Sequence, residues 1–211
     1  MVENFGNYRL NFIYLHEVWW IAKSIKEQCE LLFSKTPIPE NETRLQVDYT
    51  IHNMINNLLS DSANLKKLIF EPKNKSKSET VKQFKLHITR CKYIQNEIKG
   101  IEISELKSVS VRNSLQHFDE YLDEFNLNVT EGKQNVYSLV LYNITTSSWA
   151  PFEKTRVAPL RLYVSSERKF YNMKNSIDIG KIYSEVTAIY KLLDGKLHTP
   201  ESPPGAFIFS L

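Results

Sequence analysis

Glycine is scarce in this chain, six residues in 211, and none falls into a G-x-G-x-x-G or G-x-x-x-x-G-K-[ST] spacing. Such loops need glycine so that backbone N–H groups can close on a phosphate, so no nucleotide cofactor is expected. A G-x-S-x-G elbow is missing as well, which removes the α/β-hydrolase placement of a serine nucleophile. The two cysteines, Cys29 and Cys91, form no C-x-x-C pair and are expected to be reduced and structural. The five histidines (16, 52, 87, 117 and 198) show neither His-x3-His nor H-E-x-x-H spacing, so no metal site is expected. The longest apolar run, residues 10–22, is interrupted by His16 and Glu17 and is too short to cross a bilayer. The N-terminal residues lack a basic stretch followed by an apolar core and a small-residue cleavage site, so no secretory leader is expected. These absences point to a cytoplasmic protein without membrane attachment. Charge of one sign is also in short supply: a net charge of +3 does not by itself call for a polyanionic partner.

What the chain does have is helical periodicity. Apolar residues at 42% and charged residues at 24% are ordinary for a globular protein, and the length suffices for one domain with a real core. A single domain is expected over residues 1–196, with an irregular, proline-containing tail at 197–211. The spacing predicts a first, strongly apolar helix over residues 8–34, ended by the prolines of "SKTPIPENET". A second helix is predicted from about Glu42 to Phe70, then a solvated lysine-rich loop, "EPKNKSKSET". A third spans about Thr80 to Lys99, ended by Gly100. A fourth, with Ser104 as its N-cap, runs to about Phe125. The period then changes. "NVYSLVLYNITTSS" is rich in β-branched and aromatic residues, and "RLYVSSERKFYNM" reads as two strands around a turn. After Ser176 helical spacing returns, with Ile179, Ile182, Val186, Tyr190 and Leu193 on one face and Gly195 as the stop. The expected fold is therefore mainly α: an up-and-down helical bundle with a small antiparallel β insertion, about residues 135–173, before the last helix.

One stretch combines strict apolar order with unusual polar residues: "VSVRNSLQHFDEYLDEF", residues 109–125. Val111, Leu115, Phe118, Leu122 and Phe125 form a single helical seam. At about 100° per residue, Asn113 and His117 lie opposite that seam and Arg112 on its flank. A histidine there is not a core residue; the face is either solvated or a working surface. The acidic cluster in "HFDEYLDEF" reads as a solvated helix face. A second Arg…His spacing, Arg9 with His16, belongs to a polar stripe of Arg9, His16 and Lys23 on an apolar helix and reads as accidental.

Arg112, Asn113 and His117 resemble the motif of the HEPN domains, whose ribonuclease members carry Arg, four to six residues, then His, often with a polar residue directly after the Arg. The following "HFDEYLDE" is similar to the downstream helix of bacterial HEPN-like proteins. The resemblance implies a metal-independent endoribonuclease, of the kind found in toxin–antitoxin and anti-phage systems, with RNA as substrate and a cognate antitoxin or defence partner. It also implies a homodimer, because the family places two copies of the motif across one cleft. The chain departs from one subgroup, whose toxins carry a tyrosine two residues after the histidine. Asp119 stands at that position, so regulation by tyrosine modification does not carry over.

The residue types suit the chemistry. Cleaving RNA without a metal requires a 2′-hydroxyl to lose a proton while the departing 5′-oxygen gains one, and imidazole does either near neutral pH. A planar, permanently charged guanidinium holds phosphate oxygens and offsets their growing charge. The expected catalytic residues are Arg112, Asn113 and His117, with Gln116 and Tyr121 as substrate contacts and Tyr121 also lending apolar area to a dimer. On a straight helix Arg112 and His117 diverge by about 140°, which a second copy would resolve. Two further readings remain open. One is a non-catalytic HEPN-like bundle that binds a nucleotide, RNA or a protein partner. The other is an unrelated helical scaffold whose polar face is merely solvated.

Overall fold

The computed structural model describes residues 8–38, 46–108, 110–136, 138–146 and 156–197. Among these the chain is mainly helical with one small mixed sheet. In order it forms α1 (Tyr8–Lys35), β1 (Gln46–Val47), α2 (Tyr49–Ile69), α3 (Val81–Glu97), α4 (Ser110–Gln116), α5 (Phe118–Thr130), β2 (Ser138–Thr146), β3 (Val157–Val164), β4 (Lys169–Asn172), β5 (Asn175–Asp178) and α6 (Ile179–Leu197). The predicted tail lies outside the described residues, apart from Leu197, which ends α6.

The sheet corrects the antiparallel expectation. Strands are ordered β1-β2-β3-β4-β5, and β2 pairs with β3 in parallel while the other neighbours are antiparallel. The tight turns at 165–168 and 173–174 dictate the antiparallel pairs. β2 and β3 run in the same direction, a pairing that no two-residue hairpin can join. The sheet also extends beyond the predicted insertion, to Asp178, and recruits Gln46–Val47 from what was predicted to be helix. The second helix starts later than Glu42 because Asp48 caps it: its carboxylate accepts from Thr50 N at 2.8 Å and Thr50 Oγ1 at 2.7 Å. Gly195 does not stop the last helix, which continues to Leu197.

By backbone contacts the chain divides into two compact units, one of Met1–Lys26, Asp61–Lys107 and Ser184–Leu211, the other of Glu27–Ser60 and Ser108–Tyr183. Among the described residues the first is helical. Its buried residues include Val18, Trp19, Ala22, Ile25, Leu65, Ile69, Cys91, Ile94, Val186, Ile189 and Leu193. Trp19, although buried, keeps its indole N–H paired with Asp194 Oδ1 at 2.9 Å. The last turn of α2 exposes carbonyls that no helical N–H can reach, and α3 supplies the donors: Arg90 to Lys67 O, Gln95 to Ile69 O and the Cys91 thiol to Leu68 O. Thr80 and Gln83 form a capping box at the start of α3.

Ser104 does not cap the fourth helix. Its backbone N–H, its hydroxyl and the N–H groups of Glu105 and Leu106 all donate to the buried carboxylate of Glu185, at 2.7–3.0 Å. That clasp turns the chain before α4 can begin.

The second unit holds the sheet. Ala158, Leu160, Leu162 and Val164 alternate toward a buried face along β3. Cys29, Leu32, Ile51, Ile55, Leu58 and Val111 are buried in the same unit.

Candidate functional site

The predicted fourth helix is two helices. α4 ends at Gln116 and α5 begins at Phe118, with His117 between them at φ −107° and ψ 43°. His117 closes one helix and opens the next: its N–H donates to Asn113 O at 2.9 Å, and its carbonyl accepts from Tyr121 N at 3.1 Å. No proline or glycine lies in Ser110–Thr130, so neither residue accounts for the break. The two halves are tied to different strands. In α4, the buried Ser114 hydroxyl accepts from Asn172 Nδ2 of β4 at 2.9 Å and donates to Val111 O. In α5, the Phe118 ring lies 4.3 Å from the guanidinium carbon of Arg161 on β3.

The break changes where the sequence-predicted residues sit. His117 is exposed, and Nδ1 faces Glu120 Oε1 at 3.4 Å. Arg112 and Asn113 are half-buried on α4. Arg112 Nε is buried and has no hydrogen-bond partner among the described residues. Gln116 is exposed, and Tyr121 is half-buried with Lys174 Nζ 5.8 Å from its ring. The divergence calculated for a straight helix no longer applies, because Arg112 and His117 belong to different helical segments.

The apolar seam is corrected as a core element. Val111 is buried, but Leu115, Phe118 and Phe125 are only partly so and Leu122 is exposed at 36%. α5 contains no buried residue at all. Its four carboxylates, Asp119, Glu120, Asp123 and Glu124, are exposed, and the first two sit in the first turn, where the helix dipole favours them. Glu124 pairs with Lys174 at 2.7 Å.

A second constellation adjoins the junction, and the sequence reading missed it. Arg161 Nη1 lies 2.9 Å from His52 Nε2 on α2, and Asn56 Nδ2 lies 3.1 Å from the same nitrogen. A guanidinium only donates, so Nε2 accepts and the ring proton sits on Nδ1. Burial, and then the neighbouring Arg161 charge, lowers the His52 pKa to about 4. This imidazole is a fixed acceptor at neutral pH rather than a proton carrier. Arg161 adopts φ +56°, a left-handed conformation uncommon outside glycine. It stands opposite a bulge in β2: Leu141 pairs with Leu160 and Ile144 with Leu162, so Arg161 alone opposes two residues of β2. The i,i+4 spacing of His52 and Asn56 was visible along the chain; Arg161, 109 positions away, was not.

Elsewhere the chemistry is quieter. His16 lies against aromatic rings, with its centroid 5.2 Å from Trp19, and Lys23 Nζ lies 5.4 Å from that same indole; the side chain of Arg9 is outside the described residues. Cys29 and Cys91 are free and buried. Burial pushes the Cys29 thiol up to about 12 and raises Cys91 as well, so neither is an activated nucleophile. Among the described residues no group of three or more His, Cys, Asp or Glu side chains is placed to hold a metal. No described helix is long and apolar enough to cross a membrane. In comparisons with known proteins the chain matches no family model, no curated protein and no solved structure.

Proposed function

We propose that this chain is a metal-independent endoribonuclease of HEPN type, acting as a homodimer through the α4–α5 junction, in a toxin or anti-phage role. The observation that carries the reading is the placement of His117, an exposed imidazole at a helix break with one nitrogen turned to Glu120. One imidazole takes the 2′-hydroxyl proton as the 2′-oxygen bonds to phosphorus. The bond from phosphorus to the 5′-oxygen breaks, and the imidazole of a second copy protonates that oxygen. Arg112 holds the non-bridging oxygens, whose charge grows in the transition state. Asn113 adds a neutral donor, and Gln116 and Tyr121 contact the flanking nucleotides. The products are a 2′,3′-cyclic phosphate and a 5′-hydroxyl.

The test is cleavage of RNA by purified protein in EDTA. Cyclic-phosphate ends, intact DNA of the same sequence and a species of twice the 24.7 kDa chain mass in sedimentation are the expected results. Dependence on added magnesium, or equal cutting of DNA, would move the α5 carboxylates ahead of His117. Tight RNA binding without cutting would favour the non-catalytic bundle.

A further inference from the structure

One helical turn beyond His117, α5 forms the wall of a cleft. Tyr121, Phe125 and Asn128 follow one another at helical spacing along that wall. The opposite wall is the β4–β5 turn, where Met173 adopts φ +53° and its N–H donates to Pro159 O at 2.7 Å, pinning Met173 and Lys174 in place. The chain leaving α5 lines the cleft as well, through Gln134. Gly132, at φ +68°, lets it double back so that Lys133 N and Gln134 N both donate to Asn128 O, at 2.9 and 3.0 Å, which brings the two carboxamides of Asn128 and Gln134 to the same cleft.

We infer that this cleft binds a nucleobase, the one attached to the nucleotide beside the scissile phosphate; the choice of a ribonucleotide rests on the ribonuclease reading above. Three observations fix the chemical class. The walls are aromatic rings and a thioether, surfaces on which a flat ring stacks. The edges are two carboxamides, each able to donate and accept in the plane of a base. The charges at the rim, Lys174 and Glu124, are paired with each other at 2.7 Å, so an anion entering the cleft would have to break that pair and a neutral ring would not. The cleft is small and open to solvent, which suits one ring laid against a wall rather than a ligand enclosed on all sides. Its position fits as well. Tyr121 lies four residues past His117, about 6 Å along a helix, comparable to the separation of a base from its own phosphate.

The experiment is calorimetric titration of the full chain with adenosine, guanosine, cytidine and uridine, with ribose 5-phosphate as the control. At least one nucleoside binds and ribose 5-phosphate does not. Tyr121→Ala weakens nucleoside binding by about ten-fold or more, the scale of a lost base–aromatic stack, and Tyr121→Phe restores it. Asn128→Ala, which leaves the stacking wall intact, shifts the preference among the four nucleosides. The inference is overturned if no nucleoside binds at millimolar concentration, if ribose 5-phosphate binds as well as any nucleoside, or if Tyr121→Ala and Asn128→Ala both fold and bind unchanged. Nucleoside binding in a protein that cuts no RNA would sink the catalytic reading and leave the cleft standing. RNA cleavage without nucleoside binding would sink the cleft alone.

Discussion

Along α6, Ile179, Ile182, Val186, Ile189 and Leu193 are all withdrawn from solvent, whereas along α5 no residue is buried and Leu122 and Leu127 are exposed at 36% and 55%. Both helices carry apolar residues at helical spacing, so periodicity alone does not separate them. A repeat reveals which face of a helix is apolar; only tertiary partners decide whether anything covers that face. α6 uses its seam to build the core. α5 leaves its seam uncovered, and it is the helix that follows His117 and lines the cleft.

A graded alanine series breaks or sharpens that contrast most sharply. Ile189→Ala is expected to lower the unfolding free energy by about 2–5 kcal/mol, the cost of a cavity in a filled core. Leu115→Ala, at a half-buried position, should cost about 1 kcal/mol. Leu122→Ala should stay within about 0.5 kcal/mol of the parent protein. Denaturant titrations at two protein concentrations check the series. If Leu122→Ala costs as much as Ile189→Ala, and does so only at the higher concentration, a second copy covers α5 in solution.

The next contrast is between activity and stability on the same helices. His117→Ala and Arg112→Ala should each reduce RNA cleavage by about a hundred-fold or more. At an exposed residue such as His117 the unfolding free energy should move by no more than about 0.5 kcal/mol. His16→Ala should leave cleavage largely intact, and loss of activity in that variant alone would place the site on α1.

The smallest expected effect concerns His52. The His52 pKa falls to about 4 in the fold, from about 6.5 in an unfolded chain. Between those values the unfolded chain binds a proton that the folded chain does not, so stability rises with pH there. The contribution is fully present above pH 6.5 and is lost as pH falls toward 4. Thermal unfolding across that window should show the slope in the parent protein, and His52→Gln should flatten it.

Much of the helical framework was legible along the chain, because it depends on local signals. α1, α3 with its Thr80–Gln83 capping box, the turn at "SSER" and the face of α6 all rest on spacing and on residues within a few positions of one another. The break at His117 was not legible. Val111, Leu115, Phe118, Leu122 and Phe125 keep perfect register through it, and its two halves are held by Asn172 and Arg161, side chains brought from strands far along the sequence. The parallel pairing of β2 with β3 was hidden for a similar reason: strand composition does not encode direction. Arg112, Asn113 and His117 could be named from the motif, with Gln116 and Tyr121 beside them, but their setting could not. The seam expected to bury α5 is largely open, and the His52–Arg161 contact joins residues that no short pattern connects.

The grip of Glu185 on Ser104, Glu105 and Leu106 has a consequence for hydrogen exchange. Those three amides belong to no helix or strand, and a bare loop would trade them for deuterium at once. Each is instead held by a buried carboxylate anchored on α6, so each exchanges only when that carboxylate lets go. They become three slow clocks inside an irregular segment. In Glu185→Ala they should run at loop speed, while the amides of α3, whose capping box at Thr80 does not involve Glu185, keep their own time.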